Sequence, residues 1–73
     1  MWQERITYDD KIIAGKPIVK GTRLSVDFII YLLARGWSID QIIENYPQLS
    51  NLDIQACLEY ASTIIKEEKV ILM

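Results

Sequence analysis

The stretch "SVDFIIYLLARGWSIDQIIENYPQLSNLDIQACLEYA", residues 25–61, decides the fold because it contains three helix signals in succession. Ser25 is a candidate N-cap and Gly36 a candidate C′ residue after a dense apolar run, so a first helix is predicted between them. "SIDQ", residues 38–41, has the pattern of a capping box, and Pro47 ends the helix that it opens. Apolar residues cover nearly the whole circumference of the first helix, so we expect it to be central.

A third helix is predicted to start with Ser50 or Asn51 as its cap and with Asp53 in its first turn. The spacing of its apolar residues predicts which side chains it buries. They are Ile54, Cys57, Leu58, Ala61, Ile64 and Ile65. The second and third helices, separated by "PQLS", stand in the order of a helix-turn-helix, although any three-helix domain has two helices joined by a short turn.

The first 24 residues differ from the rest, since β-branched residues alternate there with turn signals. Short strands are predicted at residues 6–8 and 17–19, with a third candidate at 23–26. The sequence therefore predicts a mainly α protein that forms a single domain over residues 1–73. Its parts are a β-strand and turn arm at 1–24, a three-helix bundle at 25–68 and an apolar tail at 69–73.

The composition indicates a chain that needs a partner. Apolar residues make up 51% of the 73 residues, yet a core of this size rarely supplies more than about 3–5 kcal/mol of stability. The single cysteine, Cys57, rules out an internal disulfide, and without histidine there is no Cys and His set for structural zinc. We therefore expect a homodimer that buries part of the apolar surface. With no histidine, and with Cys57 on a stripe predicted to be buried, we expect no enzymatic activity and no cofactor.

The N-terminus, "MWQERITYDD", is polar and acidic, so no secretory signal is predicted. The longest apolar run, "FIIYLLA", is far shorter than a membrane span, and a soluble, cytoplasmic protein is expected. The net charge of −2 is uneven, with six basic against four acidic residues in positions 1–36 and two against six in positions 37–73. The pI of 4.9 argues against a dedicated high-affinity DNA-binding protein, but it is compatible with a dimer that combines two small basic patches.

The segment "GKPIVKGTRL", residues 15–24, places Lys16, Lys20 and Arg23 around two glycines. It is not a nucleotide-binding loop, because five residues separate the glycines and the lysine precedes the second one. The glycines are expected to supply turn conformations. The three cations are either ordinary solvated charges or a patch for an acidic partner, and the residues alone leave both interpretations open.

Three segments, "GKPIVKGTR", "LLARGWSIDQIIENYPQLS" and "DIQACLEYA", together resemble the bacterial family catalogued as domain of unknown function 433. The resemblance covers residues 6–61. It implies a small N-terminal β element on a three-helix, homeodomain-like helix-turn-helix, assembled as a dimer. It also implies the role of antitoxin in a toxin–antitoxin pair, beside a nuclease of the PIN type.

The recognition helix implied by this resemblance, "SNLDIQACLEYA", has neither Lys nor Arg, and Asp53 and Glu59 would face phosphates unfavourably. Its neutral side chains are expected to reach base edges, and these are Ser50, Asn51 and Gln55. The strand arm is then expected to supply most DNA contacts from both protomers, through Lys16, Lys20 and Arg23.

The apolar tail is a second candidate contact, with a toxin protein. After "KEEK", the last four residues have no evident place in so small a domain and are predicted to lie in a groove of the partner. They are Val70, Ile71, Leu72 and Met73. The sequence thus predicts a non-catalytic, antitoxin-like regulator that binds a PIN-type toxin and its own operator DNA. The alternative is a protein-interaction or assembly module that binds no DNA.

Overall fold

The computed structural model describes residues 2–11 and 15–67. A 3-10 turn at Trp2–Glu4 leads into a two-stranded antiparallel sheet made of β1 (Ile6–Tyr8) and β2 (Pro17–Val19). Three helices follow in the described chain: α1 (Val26–Ala34), α2 (Ile39–Asn45) and α3 (Asn51–Glu67). This architecture confirms the predicted mainly α fold with a small N-terminal β element. Helices α2 and α3, joined by residues 46–50, stand in the helix-turn-helix order.

The sheet has Ile6 opposite Val19 and contains two of the three predicted strands. The prediction of a strand at residues 23–26 is wrong. Ser25 forms only an isolated bridge with Ile18, and α1 begins at the next residue. The reason is local, because the Ser25 hydroxyl accepts the Phe28 N–H and caps the helix, so the extended backbone ends there.

The other helix ends follow the predicted capping residues. Ser38 and Gln41 form the reciprocal capping box of α2, with bonds of 2.8 and 3.1 Å. Helix α3 has the same arrangement with an aspartate: the Ser50 N–H donates to Asp53 Oδ2 at 2.9 Å, and the Asp53 N–H donates back to Ser50 Oγ at 3.2 Å. Ser50 is therefore the cap of α3. Gly36, at φ +95°, ends α1 in the left-handed conformation that favours glycine.

The core lies where α3 meets the sheet and the other two helices. Ile29 of α1, Ile42 of α2 and Ile54 of α3 are each 0% exposed. The other buried apolar side chains are those of Ile6, Ile18, Val19, Val26, Leu32, Leu49, Ala56, Cys57 and Tyr60. Helix α3 contacts the 3-10 turn, β1, α1 and α2, so α3 rather than α1 is the central element.

The predicted buried stripe of α3 is confirmed only in part. Ile54 and Cys57 are buried and Ala61 is half-buried, but the prediction is wrong for Leu58, Ile64 and Ile65, which leave 44%, 38% and 65% of their surface exposed. The helix lengths explain the exposure of Ile64 and Ile65, since α3 has 17 residues and α1 only nine. At 1.5 Å per residue, the last turns of α3 extend beyond what α1 covers.

The N-terminal turn is fastened to α3. The half-buried Trp2 ring meets the Tyr60 ring edge to face, with centroids 4.8 Å apart, and the backbone N–H of Trp2 donates to Glu59 Oε1 at 2.7 Å. The hydroxyls of Tyr8 and Tyr60 are also hydrogen-bonded. These contacts give the sheet the helical support that two strands of three residues need to be stable.

Candidate nucleic-acid interface

The sheet register sets two basic residues side by side. Because Ile6 lies opposite Val19, Arg5 lies opposite Lys20, and the Lys20 N–H donates to the Arg5 carbonyl at 2.8 Å. Arg5 was not among the predicted contact residues. The register of the two strands was the signal that would have identified it, since one cation precedes β1 and the other follows β2.

Arg5 also connects this end of the sheet to the start of α3. Its Nη1 lies 3.0 Å from Asp53 Oδ1, and the second Asp53 oxygen accepts the Ser50 N–H. Asp53 thus has its charge balanced by Arg5 and by the N-terminus of the helix. Glu59, the other acidic residue of concern, accepts the Trp2 N–H. Because both carboxylates already have partners within the chain, they would repel a DNA phosphate less strongly than the sequence predicts.

Lys20 and Arg23 lie on the turn after β2. The Thr22 N–H and hydroxyl both donate to the Val19 carbonyl, at 3.0 and 2.8 Å, and Gly21 has φ +79°. This turn is therefore held by its own hydrogen bonds. Both cations are exposed, and neither forms an ion pair with any residue in the described part of the chain.

A surface groove joins this turn to the connection between α2 and α3. Arg23 and Thr22 line it, and so do Asp9 and Gln48. Gln48 stands two residues before Ser50, the cap of α3. The groove therefore brings Arg23 to the side of the helix-turn-helix where α3 begins.

Lys16 does not belong to this group. It precedes β2 while Lys20 follows it, so their Cα atoms are about 13 Å apart along an extended strand. Its Nζ lies 3.4 Å from Asp27 Oδ2, in the first turn of α1. The structure thus separates the three predicted cations into Lys20 with Arg23, and Lys16 by itself.

The three predicted base-reading residues are all exposed at the start of α3. The Ser50 hydroxyl is already engaged as the helix cap. Asn51 and Gln55, four positions apart, share one face of the helix, and Gln55 lines a pocket with Arg5. We call the surface formed by Arg5, Lys20, Arg23, Asn51 and Gln55 the cationic end.

Cys57 is fully buried on α3. Burial, and to a lesser extent the negative charge of Asp53, raises the pKa of the Cys57 thiol to about 12. A thiol in this environment stays protonated near neutral pH, and it behaves as a small apolar side chain.

The described residues also bear on the predictions about a membrane span, a metal site and the C-terminal tail. No helix of residues 2–11 and 15–67 combines the length and apolar character needed to cross a bilayer. Over the same residues, no three His, Cys, Asp or Glu side chains come close enough to hold a metal ion. The predicted toxin-contacting residues Val70, Ile71, Leu72 and Met73 lie outside the described residues.

A family model described as "Protein of unknown function (DUF433)" matches residues 6–61. The chain belongs to the DUF433 family. The match confirms the resemblance read from the sequence segments, over the same residues. It contains the sheet, α1, α2 and the first part of α3, and it begins one residue after Arg5.

Two proteins similar to the DUF433 chain come from Sinorhizobium fredii and Archaeoglobus fulgidus. Uncharacterized protein y4eO of Sinorhizobium fredii is 32% identical over 59 residues, which are 81% of this chain and 27% of that protein. An uncharacterized protein of Archaeoglobus fulgidus is 54% identical over 24 residues, 33% of this chain and 67% of that protein. The chain thus spans little more than a quarter of the length of the Sinorhizobium relative.

A solved structure has the same fold. The crystal structure of a DUF433 member from Anabaena variabilis superimposes with a TM-score of 0.81 at 22% sequence identity. The superposition covers 89% of this chain and 64% of the Anabaena chain. At this identity the likeness shows the fold alone.

Proposed function

We propose that this DUF433 protein is a non-catalytic, antitoxin-like regulator that acts as a cytoplasmic homodimer and binds a PIN-type toxin and its own operator DNA. The observation that supports DNA binding best is the position of Lys20 and Arg23. They are exposed cations, outside any ion pair with the described residues, on a turn beside the start of α3. Lysine and arginine at the phosphates supply most of the affinity of proteins for DNA.

Neutral side chains give the cationic end a means of reading sequence. Asn51 and Gln55 are exposed on one face of α3, and a side-chain amide donates and accepts at once, as the major-groove edge of adenine requires. Arg5, in the same pocket as Gln55, adds a third cation that Asp53 partly balances. Contacts from the cations to phosphate would position the helix, and the amides would specify the site.

Lys20 and Arg23 alone are few cations for DNA binding by a chain whose net charge is −2. The proposed dimer compensates for this, because a two-fold operator contacts the same residues of both copies. With about four phosphate contacts, the logarithm of the binding constant falls with the logarithm of salt concentration at a slope of about −3 to −4. Binding of this kind is moderate and strongly dependent on salt.

The toxin part of the proposal rests on the family resemblance, which implies a PIN-type nuclease as partner, and on the apolar residues Val70–Met73. The exposed side chains of Leu58, Ile64 and Ile65 on α3 favour the alternative function, a protein-interaction or assembly module that binds no DNA. The inaccessible, protonated Cys57 thiol supports the non-catalytic part of the proposal.

The DNA-binding part is tested by titrating the wild-type protein with DNA from upstream of its own gene at several salt concentrations. Replacing Lys20 and Arg23 together with Ala should weaken binding and flatten the salt slope by about one unit for each phosphate that the variant no longer binds. Lys16→Ala is the matched control, because Lys16 is equally charged but lies apart and is paired with Asp27. It should keep the salt slope of the wild type.

Recognition of the operator sequence is tested with the Asn51→Ala and Gln55→Ala variants. Each should lower the preference for operator over random DNA by about 1–3 kcal/mol for each base that is no longer recognised, while leaving the salt slope unchanged. If the wild type prefers no DNA upstream of its gene, or if the Lys20 and Arg23 variant binds as tightly as the wild type, the DNA-binding part is wrong and the assembly module remains.

The toxin part is tested by co-expression with the product of the neighbouring gene. We expect that gene to encode a small nuclease with an acidic site and the two purified proteins to form a stable complex. Deleting Val70–Met73 should abolish toxin capture without changing the mass of the antitoxin alone. Absence of a neighbouring nuclease, or a complex unaffected by the deletion, would contradict the predicted role of the tail.

A further inference from the structure

The longest helix of the protein exposes an apolar surface next to α1. Ile65 and Ile64 leave 65% and 38% of their surface exposed, and Leu58 leaves 44%. Ile64 and Ile65 line a groove that we call the α1–α3 face. Its apolar lining residues are Pro17, Val26, Ile30, Ala61, Ile64 and Ile65.

This face continues the core to the outside. The buried Val26 and Tyr60 line the same groove as the exposed Ile65, so the interior and the exposed apolar surface meet there, and Asp27 is the one charged residue among the described residues of the lining. Ile54, Leu58, Ala61 and Ile65 follow one another on α3 at spacings of four, three and four residues, so they form one stripe. Ile54 is buried at the start of this stripe, whereas Leu58 and Ile65 are exposed farther along it. The described chain therefore covers only the first part of the stripe.

We infer that a second copy of this chain covers the α1–α3 face, with the two copies related by a two-fold axis. A two-fold interface places the same patch on both sides, so its charges must complement themselves. The border of this face meets that condition, since the exposed Lys16 and Asp27 carry opposite charges and lie beside Pro17 and Val26. A border of one sign would instead favour a partner of the opposite charge.

The required area is also within reach of this surface. A stable interface buries about 800 Å² per partner, roughly a sixth of the 5223 Å² that the protein exposes. Helix α3 alone is about 25 Å long. An interface of that area would extend along α3 and over the adjacent side of α1.

The inference deepens the proposed function and rests on the homodimer proposed there. The face and the cationic end use opposite ends of α3, since Asn51 and Ile65 are 14 residues apart, or about 21 Å. A dimer built through the α1–α3 face leaves Lys20 and Arg23 of both copies accessible to DNA.

The test compares the solution mass of the wild type with that of two variants on the same helix. Ile65→Glu places a charge in the centre of the face, and Leu52→Glu places the same charge at a site that is 54% exposed near the start of α3. Light scattering coupled to size exclusion at micromolar concentration should give twice the 8.5 kDa chain mass for the wild type and for L52E. I65E should elute as a monomer, with the dimer dissociation constant raised at least tenfold.

Thermal melting followed by circular dichroism checks that each variant is folded. If I65E lacks a cooperative melt, Ile65→Ser is measured in its place, with the same expected dissociation. A monomeric wild type overturns the inference, since no second copy then covers the face. An I65E variant that remains a dimer, or an L52E variant that dissociates, also overturns it.

DNA binding of the same samples separates this inference from the proposed function. A wild-type dimer that depends on Ile65 but binds no DNA confirms the face and contradicts the regulator. Salt-dependent DNA binding by a dimer that I65E does not dissociate supports the regulator and overturns the face.

Discussion

The two ends of α3 differ in how completely the chain surrounds them. At the N-terminal end, Ser50 and Asp53 cap the helix, and Arg5 pairs with Asp53 at 3.0 Å. At the C-terminal end, Ile64 and Ile65 are exposed beside an apolar groove. The first end is stabilised by contacts within the chain and presents polar groups outward. The second exposes the kind of surface that interiors contain.

This difference indicates that the two ends of α3 are suited to different kinds of contact. Polar groups that already have their hydrogen bonds lose little when an anion approaches, so the cationic end is suited to reversible, salt-sensitive contacts. Exposed apolar groups gain about 25 cal/mol per Å² when another surface covers them. The C-terminal half of α3 is therefore suited to lasting association between protein surfaces.

The largest effect on stability is expected from a substitution in the part of the core that packs against the middle of α3, between its two ends. Ile54, 0% exposed, lies between them, and Ile54→Ala should lower the free energy of unfolding by about 2–5 kcal/mol through poorer packing and a cavity. That is a large part of the roughly 3–5 kcal/mol that a core of this size supplies. Urea unfolding followed by circular dichroism measures it.

Leu52→Ala is the control on the same helix, and its exposed side chain should cost less than about 0.5 kcal/mol. DNA binding and dimerisation should weaken together in I54A, since both depend on α3. An I54A variant as stable as the wild type would mean that α3 is not the central element of the core.

A second expected effect is that the stability of the folded protein falls at alkaline pH. The pKa of the Cys57 thiol is about 12 in the folded protein and 9.0 when unperturbed, because burial disfavours the thiolate. Below pH 9 both states hold the proton and the stability is fully present. Between pH 9 and 12 only the unfolded state releases it, so stability falls as pH rises, by about 1 kcal/mol at pH 10.

Cys57→Ala isolates this effect, because the other alkaline titrations occur in both proteins. The difference in unfolding free energy between wild type and C57A should shrink as the pH rises from 9 to 11. A constant difference would indicate that the Cys57 thiol is as accessible to hydroxide in the folded chain as in the unfolded one.

The helices were predictable from the sequence because their limits depend on neighbouring residues. Ser38 and Gln41 lie three positions apart, and the bond between them is the one that the sequence pattern predicts. The burial of α3 beyond Cys57 was not predictable in the same way. The spacing of Leu58 and Ile65 indicates an apolar side, but whether that side is covered depends on the length of α1 and on other chains.

The candidate site was predicted only in part for a related reason. Lys20 and Arg23 follow one strand, so their proximity to each other could be seen in the sequence. Arg5 is 15 positions from Lys20 and becomes its neighbour only through strand pairing. Lys16 lies closer to Lys20 in sequence than Arg5 does, yet the extended strand carries it away.

A smaller effect is expected from the ion pair that joins the sheet to α3. Asp53→Ala removes both the contact with Arg5 and the bond to the Ser50 N–H, and should cost about 1 kcal/mol. Asp53→Asn retains a hydrogen-bond acceptor and should cost less. Because it also leaves Arg5 uncompensated, D53N should bind DNA with a salt slope steeper by about 0.9.

A double-mutant cycle with Arg5→Ala measures the coupling, expected to be about 0.5–1 kcal/mol for a partly exposed pair. Weaker DNA binding by D53N than by the wild type would show that the Arg5 side chain does not face the DNA, and the cationic end would then be limited to the turn after β2.

The smallest effect is expected at Lys16, the cation that stands nearer the α1–α3 face than the cationic end. The side chains of Lys16 and Asp27 are 57% and 70% exposed, and their charged atoms are 3.4 Å apart. Such pairs contribute about 0–1 kcal/mol, and salt near 0.1 M screens them over about 10 Å. Lys16→Ala should therefore change the unfolding free energy by less than about 0.5 kcal/mol at low salt and by less still at high salt.

Because Lys16 borders the proposed interface, K16A should loosen the dimer a few-fold at low salt while its DNA salt slope matches the wild type. A flattened DNA slope in K16A with an unchanged dimer would reverse the assignment and place Lys16 with Lys20 and Arg23.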